Sequence, residues 1–296
     1  MTVLFVGTAN HDTTAWVARA PGPGQTVVAH SSRVDAGGKA ANQAAAAARL
    51  GAHAILVATV GEDGAGTTLI NALDGAGVDT SAVRRTAALP TGSAFIVVDE
   101  NAENEIVVIT GANGDLTPDD VHRGWPSTSD FIVSVALEGP VAPITAAVER
   151  AVAEGCRVVV NLSPVTDAAT HLLPAADPLV VNEHEARSLA GEDLATLEEL
   201  ANALVARGPR SVVITAGSRG AVAVSASTPA TLIAGEVVHA VDTTGAGDAF
   251  TGALCANLDR GLSLTEAVRV ACRVAAYSVQ RPGAQSSYPS IDDLGD

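Results

Sequence analysis

The sequence is short of cysteine and of long uninterrupted apolar runs. Its three cysteines, Cys156, Cys255 and Cys272, lie far apart and have neither the spacing of metal ligands nor that of a disulfide framework, which is typical of a reducing cytoplasm. No run approaches the roughly 20 apolar residues that a membrane span needs. The N-terminus enters an apolar segment directly, without a basic region or a cleavage site, so we expect no signal peptide and a cytoplasmic protein.

Basic residues are also scarce. The chain has 17 Lys and Arg against 33 Asp and Glu, which gives a formal net charge of −16. Such a surface repels polyphosphate backbones, so we expect no nucleic-acid partner. A nucleotide would be repelled as well. A nucleotide site would therefore have to act locally, through backbone amides, a metal ion and a few basic groups.

The 296 residues, 47% of them hydrophobic, suffice for one large domain with a small appendage. Apolar β-branched segments alternate with Ala-rich ones. We predict strands at residues 3–7, 54–60, 130–136, 157–162, 179–181, 211–215, 221–225 and 231–233. We predict helices at residues 40–50, 67–76, 141–154, 183–190, 197–207, 248–260 and 264–279. This alternation is typical of a doubly wound, mostly parallel α/β sheet with helices on both sides.

Two stretches break the alternation, at residues 26–34 and 93–110. Both are rich in Val, Ile and Thr, and the second contains turn residues at 99–101. They resemble antiparallel hairpins inserted between βα units. We therefore predict one domain over residues 1–296 with a small β-sheet that stands off it as a lid.

The strongest chemical signal is the segment DTTGAGD, from Asp242 to Asp248, which leads into a helix. Small residues let the backbone approach a ligand, and a helix N-terminus presents free N–H groups to an anion. Asp248 would suit a base next to a phosphoryl acceptor, while Gly245, Ala246 and Gly247 stabilise charge on the transferred group. The residues alone equally allow an N-capping Asp beside glycines of a tight turn.

Three weaker signals precede it. The segment DAGGKAANQ places Lys39 and Asn42 one turn apart on one helix face, but it lacks the spacing of a Walker A loop. The run from Asn10 to Asp12 follows the first strand, where Asn and Asp can bind hydroxyls or simply form a loop. Asn182 and Glu185 follow another strand and suit either hydrated Mg²⁺ near a phosphate or a helix-capping box.

Together these motifs resemble the ribokinase-type (PfkB) carbohydrate kinases over essentially the whole chain. The resemblance rests on three motifs: GGKxANQ near the N-terminus, DTxGAGD near the C-terminus and NxxE between them. The resemblance implies a kinase that transfers the γ-phosphoryl group of ATP to the primary hydroxyl of D-ribose, giving D-ribose 5-phosphate. It also implies Mg²⁺, activation by K⁺, and a homodimer that pairs through its lids.

The resemblance assigns roles position by position. Asp248 would be the base, and Gly245, Ala246 and Gly247 would form the anion hole. The sugar hydroxyls would be bound by Asn10, Asp12, Gly38, Lys39, Asn42, Glu138 and Asp248. The nucleotide would be lined by Asn182, Thr215, Ala216, Gly217, Ser218, Arg219, Gly220 and Gly247. Asn182 and Glu185 would organise Mg²⁺ through water. The K⁺ positions would be Asp242, Thr244, Ser278, Arg281, Gly283 and Ser287.

Some positions depart from the family pattern, and some alternatives stay open. Ala40 stands where Gly is usual, and His11 replaces a small residue between two sugar ligands, where it either points away or narrows the pocket. A related kinase for deoxyribose, fructose or a tagatose phosphate is the alternative enzyme. A non-catalytic sugar- or nucleotide-binding regulator would be expected to have lost Asp248 or the anion hole. A dinucleotide-binding enzyme would need a GxGxxG motif after the first strand, and this is absent.

Overall fold

A large sheet of nine strands forms the centre of the molecule. The computed structural model describes residues 2–101, 103–191 and 194–295. The sheet has the order β13-β12-β11-β10-β9-β8-β1-β4-β5, and it is parallel except at β12 and β13. Its strands are β1 (Thr2–Val6), β4 (His53–Gly61), β5 (Val83–Thr86), β8 (Ile132–Ala136), β9 (Arg157–Asn161), β10 (Leu179–Asn182), β11 (Ser211–Thr215), β12 (Ala221–Ser225) and β13 (Thr228–Ile233).

Helices cover both faces of this sheet. One face packs against α1 (Lys39–Arg49), α2 (Gly64–Gly75), α7 (Ala246–Asp259) and α8 (Leu264–Ser278). The other packs against α3 (Pro118–Arg123), α4 (Val141–Glu154), α5 (Glu183–Ala190) and α6 (Leu197–Val205). The central strands are buried on both faces, as the continuous apolar runs predict. The predicted α/β class is confirmed, and no helix of the described residues is long and apolar enough to cross a membrane.

A second, four-stranded sheet stands off the first and forms the lid. Its strands are β2 (Asn10–Trp16), β3 (Ser31–Gly37), β6 (Ser93–Val98) and β7 (Asn104–Ile109), in the order β3-β2-β6-β7. Residue 102, between β6 and β7, lies outside the described residues. We name this four-stranded sheet the lid and keep the name below.

The lid strand predicted at residues 26–34 lies later in the chain than expected. We expected it at residues 26–34, but β3 covers Ser31–Gly37, and residues 25–29 have no regular structure. The register explains this, because Trp16 at the end of β2 pairs with Ser31, so the residues before Ser31 have no strand beside them. The PGPG run at residues 21–24 also favours a turn.

Four elements were missed or misplaced by the sequence prediction. β2 was treated as a loop, β5 and α3 were not predicted, and α7 begins at Ala246 rather than at residue 248. β2 is polar (NHDTTAW) and is held by β3 on one side and β6 on the other. Tertiary pairing therefore decides its conformation, which local pattern does not reveal.

Candidate active site

Five parallel strands end at the same edge of the large sheet, and a polar residue stands at or just after each end; three of these, Glu138, Asn182 and Thr215, are predicted site residues. Thr8 comes after β1, Glu138 after β8, Asn161 ends β9, Asn182 ends β10 and Thr215 ends β11. The carboxyl ends of parallel strands form the ligand crevice of an open α/β sheet. A cavity of about 190 Å³ opens there, between α1, α5 and the start of α7. Its lining includes Lys39, Asn161, Asn182, Glu185, Gly247 and Asp248.

Asp248 is held at the floor of this cavity by two side-chain amides. Asn42 Nδ2 donates to Asp248 Oδ2 over 2.9 Å, and Gln43 Nε2 donates to Asp248 Oδ1 over 3.3 Å. The N-cap residue of α7 is Gly245, and Asp248 is the third residue of the helix, so the alternative of an N-capping Asp is wrong. Burial raises the pKa of the Asp248 carboxyl, while the charge of Lys39 and the two amides act against that rise.

The turn before Asp248 leaves backbone amides available to an anion. Gly245 has φ of +73° and gives the first turn of α7 no side-chain acceptor. A Cβ there would come within 2.5 Å of the Tyr288 hydroxyl, which donates to the Gly245 carbonyl over 3.0 Å. Within the described chain, the N–H groups of Gly247 and Asp248 have no protein acceptor. Free N–H groups at a helix N-terminus suit an anion, and this is the arrangement that the sequence predicts.

Glu138 meets the start of α1 beside the cavity. Its Oε2 accepts a hydrogen bond from the Thr8 hydroxyl over 2.5 Å and another from the Lys39 amide over 3.1 Å. Gly38 has φ of +85°, and a Cβ on it would lie 2.7 Å from the Thr8 carbonyl oxygen, so only glycine fits there. Gly38, Lys39 and Glu138 are thus brought together.

The Lys39 ammonium lies among carboxylates. Burial acts to lower its pKa, but Asp248, Glu138 and Glu185 outweigh burial and raise the pKa. Lys39 therefore stays protonated at neutral pH. It puts a positive charge at the wall of the smaller cavity.

The lid contributes Asn10 and Asp12 from β2. Asn113 Nδ2 donates to Asn10 Oδ1 over 2.7 Å, and the Ala94 amide donates to Asp12 Oδ1 over 2.9 Å. The pKa of Asp12 is raised to about 7, chiefly by burial and also by the nearby Glu138 and Asp35, although the bond from Ala94 acts to lower it. Because side chains alternate along a strand, His11 projects from the opposite face of the lid and does not narrow this side.

A larger cavity of about 660 Å³ adjoins the first and is mostly apolar. The two share Thr215, Thr243, Ala246 and Gly247, so they meet at the anion-binding turn. The lining of the larger cavity includes Thr215, Gly217, Ser218, Gly220, Val237, Val238, Phe250, Ala276 and Val279. Ala216 and Arg219 are not among its lining residues. The Arg219 guanidinium contacts Glu183 instead.

Asn182 and Glu185 form a reciprocal capping box at the start of α5. Glu185 N donates to Asn182 Oδ1, and Asn182 N donates to Glu185 Oε2, each over 2.8 Å. The pair therefore forms the helix-capping box that the sequence also allows. Among the described residues Glu185 Oε1 has no hydrogen-bond partner, and both residues line the smaller cavity. In the described part of the chain no three His, Cys, Asp or Glu side chains cluster as metal ligands.

The six positions expected near K⁺ come from two segments that the structure brings together. Asp242 Oδ2 accepts from the Gly283 amide over 2.7 Å, and Asp242 Oδ1 accepts from the Thr244 amide over 2.9 Å. These bonds lower the pKa of Asp242, although its burial acts to raise it. Among the described residues, nothing donates to the carbonyl oxygens of Thr244, Arg281 and Gly283. Such an oxygen-rich set suits a hard cation.

Sequence analysis missed several residues that support the site. They are Asn113 beside Asn10, Gln43 and Asn161 behind Asp248, Gln285 beside Asn42, and Tyr288 beside Gly245. A polar residue inside an apolar segment is the available signal. Ser134 in β8 and Gln43 in an Ala-rich helix both break apolar runs.

Comparison with known proteins gives one consistent result. The family model described as pfkB family carbohydrate kinase matches residues 2–291. The ribokinase of Haemophilus influenzae is 36% identical over 294 residues, which are 98% of this chain and 95% of that protein. The deoxyribokinase of Salmonella typhi is 31% identical over 301 residues, 100% of this chain and 98% of that protein.

Solved structures agree with this. The Arabidopsis thaliana ribokinase, determined with ribose and ATP, superposes with a TM-score of 0.89 at 30% identity. The match covers 99% of this chain and 96% of that one. The similarity therefore extends over the large sheet and the lid alike.

Proposed function

The chain belongs to the PfkB family of carbohydrate kinases, and we propose that it transfers the γ-phosphoryl group of ATP to the primary hydroxyl of D-ribose. The product is D-ribose 5-phosphate. The observation that carries the chemistry is Asp248, a buried carboxylate held by two amides beside a turn with free N–H groups. An acceptor hydroxyl placed between them would meet a base on one side and an anion hole on the other.

Asp248 acts as the general base in this proposal. It takes the proton of the sugar hydroxyl as the oxygen attacks the γ-phosphorus. Gly245, Ala246 and Gly247 form the anion hole, in which the free N–H groups of Gly247 and Asp248 stabilise the negative charge on the transferred phosphoryl group, while the Ala246 N–H donates to the Thr243 carbonyl over 3.2 Å. Lys39 lies at the same cavity and adds a fixed positive charge.

The sugar binds between the lid and the start of α1. Asn10 and Asp12 reach it from the lid, and Gly38, Lys39, Asn42 and Glu138 reach it from the large domain. The adenine and ribose of ATP occupy the 660 Å³ cavity, whose apolar walls suit an aromatic base. In this proposal the phosphates lie at Gly247, which lines both cavities.

Two cations complete the proposed site. Asn182 and Glu185 would hold Mg²⁺ through water, consistent with their place in the smaller cavity and the free Glu185 Oε1. Mg²⁺ neutralises phosphate charge when it is bound. Asp242, Thr244, Ser278, Arg281, Gly283 and Ser287 would surround K⁺, and the shared loop would carry its effect to the anion hole.

A homodimer through the lids is the proposed assembly. Alternation along β6 and β7 puts Phe95 and Val107 on the face of the lid opposite Asp12, and both are exposed, at 49% and 64%. Exposed apolar strands of this kind invite pairing with another chain. Two copies that pack these faces together would bury both.

Deoxyribose is the second candidate substrate, because a deoxyribokinase is 31% identical over the full chain. A coupled ADP-release assay across pentoses and hexoses, with the product identified by phosphorus NMR, distinguishes the two. Ribose should give the highest kcat/KM, with phosphate on the primary oxygen. A higher kcat/KM for deoxyribose would replace the proposed substrate, and no ADP release with any sugar would overturn the proposed function.

A further inference from the structure

A buried polar network lies behind Asp248 and is centred on Gln43. Gln43 is fully buried in α1. Its Nε2 donates to Asp248 Oδ1 over 3.3 Å and to Asn161 Oδ1 over 3.0 Å, and its Oε1 accepts from the Ser134 hydroxyl over 3.3 Å. Four different elements, α1, α7, β8 and β9, thus meet at one amide.

The partners define the orientation of the Gln43 amide. Its two N–H groups face two acceptor oxygens, and its oxygen faces a hydroxyl that can donate. Asn161 is in turn held by donating its Nδ2 to the Val180 carbonyl over 3.2 Å. Every polar atom of the Gln43 side chain therefore has a partner, which fixes the side chain in one position.

From this geometry we infer that Gln43 is a positioning residue for Asp248, keeping its carboxylate ionised and aimed at the acceptor hydroxyl. The inference rests on the proposed function of Asp248 as base. A base must be deprotonated to accept a proton, yet burial favours the protonated form. A donor on Oδ1 stabilises the anion and leaves the other lone pairs of the carboxylate to Asn42 and to the substrate.

Asn42 and Gln43 both donate to Asp248, but they differ in their access to the proposed substrate. Asn42 Oδ1 accepts from Gln285 Nε2 over 3.0 Å, and Asn42 lies at the rim where the sugar binds. Gln43 touches no proposed ligand position and is sealed from solvent. Its contribution to turnover can therefore act only through the side chains it holds, and of these Asp248 is the one with a proposed role in the reaction.

Gln43→Glu tests the inference with little change in shape. It places a second carboxyl group against Asp248, so the pKa of Asp248 should rise. The acid limb of the kcat–pH profile should move to higher pH by about one unit or more, with activity recovered at alkaline pH. The other charged or titratable groups that face Asp248 are Lys39, Glu138 and Tyr288, and they stay unchanged in this variant.

A second variant and a control keep the test decisive if Gln43→Glu folds poorly. Gln43→Met keeps the length but removes the donor, so the acid limb should move in the same direction by a smaller amount. Asn257→Asp makes the same amide-to-acid change in α7, about 14 Å along the helix from Asp248, and should lower the melting temperature without moving the limb.

The outcomes separate this inference from the proposed function. If the wild-type protein phosphorylates ribose but both Gln43 variants keep the wild-type acid limb, Gln43 does not position the base and the inference is wrong. If the wild-type protein phosphorylates no sugar, the proposed function is wrong, whatever the Gln43 variants show. Titration of the Asp248 carboxyl by carbon NMR in the protein without substrate checks the shift independently of turnover.

Discussion

The Arg33 guanidinium on lid strand β3 lies 3.4 Å from the Asp242 carboxylate, in the loop that leads to the anion-binding turn. Arg33 also pairs with Asp35 over 2.5 Å and lies over the Trp16 ring, 5.2 Å from its centroid. The register pairs Asp35 with Asp12 across β2 and β3. The Arg33 side chain thus connects the lid face that carries Asp12 and Asp35 to the loop that leads to Gly245.

Arg33→Met should weaken this connection. Because the pair is partly exposed, it is worth at most about 1 kcal/mol, so we expect the sugar KM to rise or kcat to fall by up to about fivefold. Steady-state kinetics at saturating ATP measure the change. Arg150→Met is the matched control, since Arg150 also pairs with a carboxylate and lies over a tryptophan, but on α4. Equal effects of the two variants would show that Arg33 has no special role.

Exchange of K⁺ for Na⁺ should change the rate at constant ionic strength. The expected cause is the oxygen set around Asp242 and Gly283, which shapes the anion hole through the shared loop. Asp242→Asn removes the charge but keeps the shape, and it should abolish the difference between the two ions. The melting temperature in each salt gives a second readout. Equal activity and equal melting temperatures in both salts would contradict the proposed cation site.

Val107→Asp should separate the proposed dimer, because it puts a charge on the outer apolar face of the lid. Light scattering on the wild-type protein at micromolar concentration should report about twice the 29.6 kDa of the chain, and the variant should approach the mass of one chain. Ile106→Asp is the matched control, since the neighbouring residue projects from the inner face. A wild-type monomer with full activity would mean that the lid closes unaided.

Regular elements with continuous patterns could be predicted from the sequence. Helices α4 and α5 begin and end at the predicted residues, and Gly155 and Gly191 follow their last turns. Residues of three of the four motifs, Lys39, Asn182 and Asp248, also line one cavity at the predicted edge of the large sheet. Local pattern and tertiary structure agree at these places.

The network behind the base could not be predicted in this way. Gln43 is 91, 118 and 205 residues from its three partners, and although a single glutamine in an Ala-rich helix stands out, local sequence does not identify those partners. β2 was missed for a related reason, because its polar sequence becomes a strand only through pairing on both edges. Long-range contacts decide both cases.

The turnover of Asp248→Asn measures whether Asp248 is the general base. Asparagine keeps the size of the side chain and removes its ability to accept the proton of the sugar hydroxyl. We expect an unchanged fold and ATP affinity, checked by circular dichroism and calorimetry, with kcat lower by roughly 10²–10⁴. A folded, ATP-binding variant that keeps more than about a tenth of the wild-type kcat would contradict the account, because a general base contributes far more than tenfold.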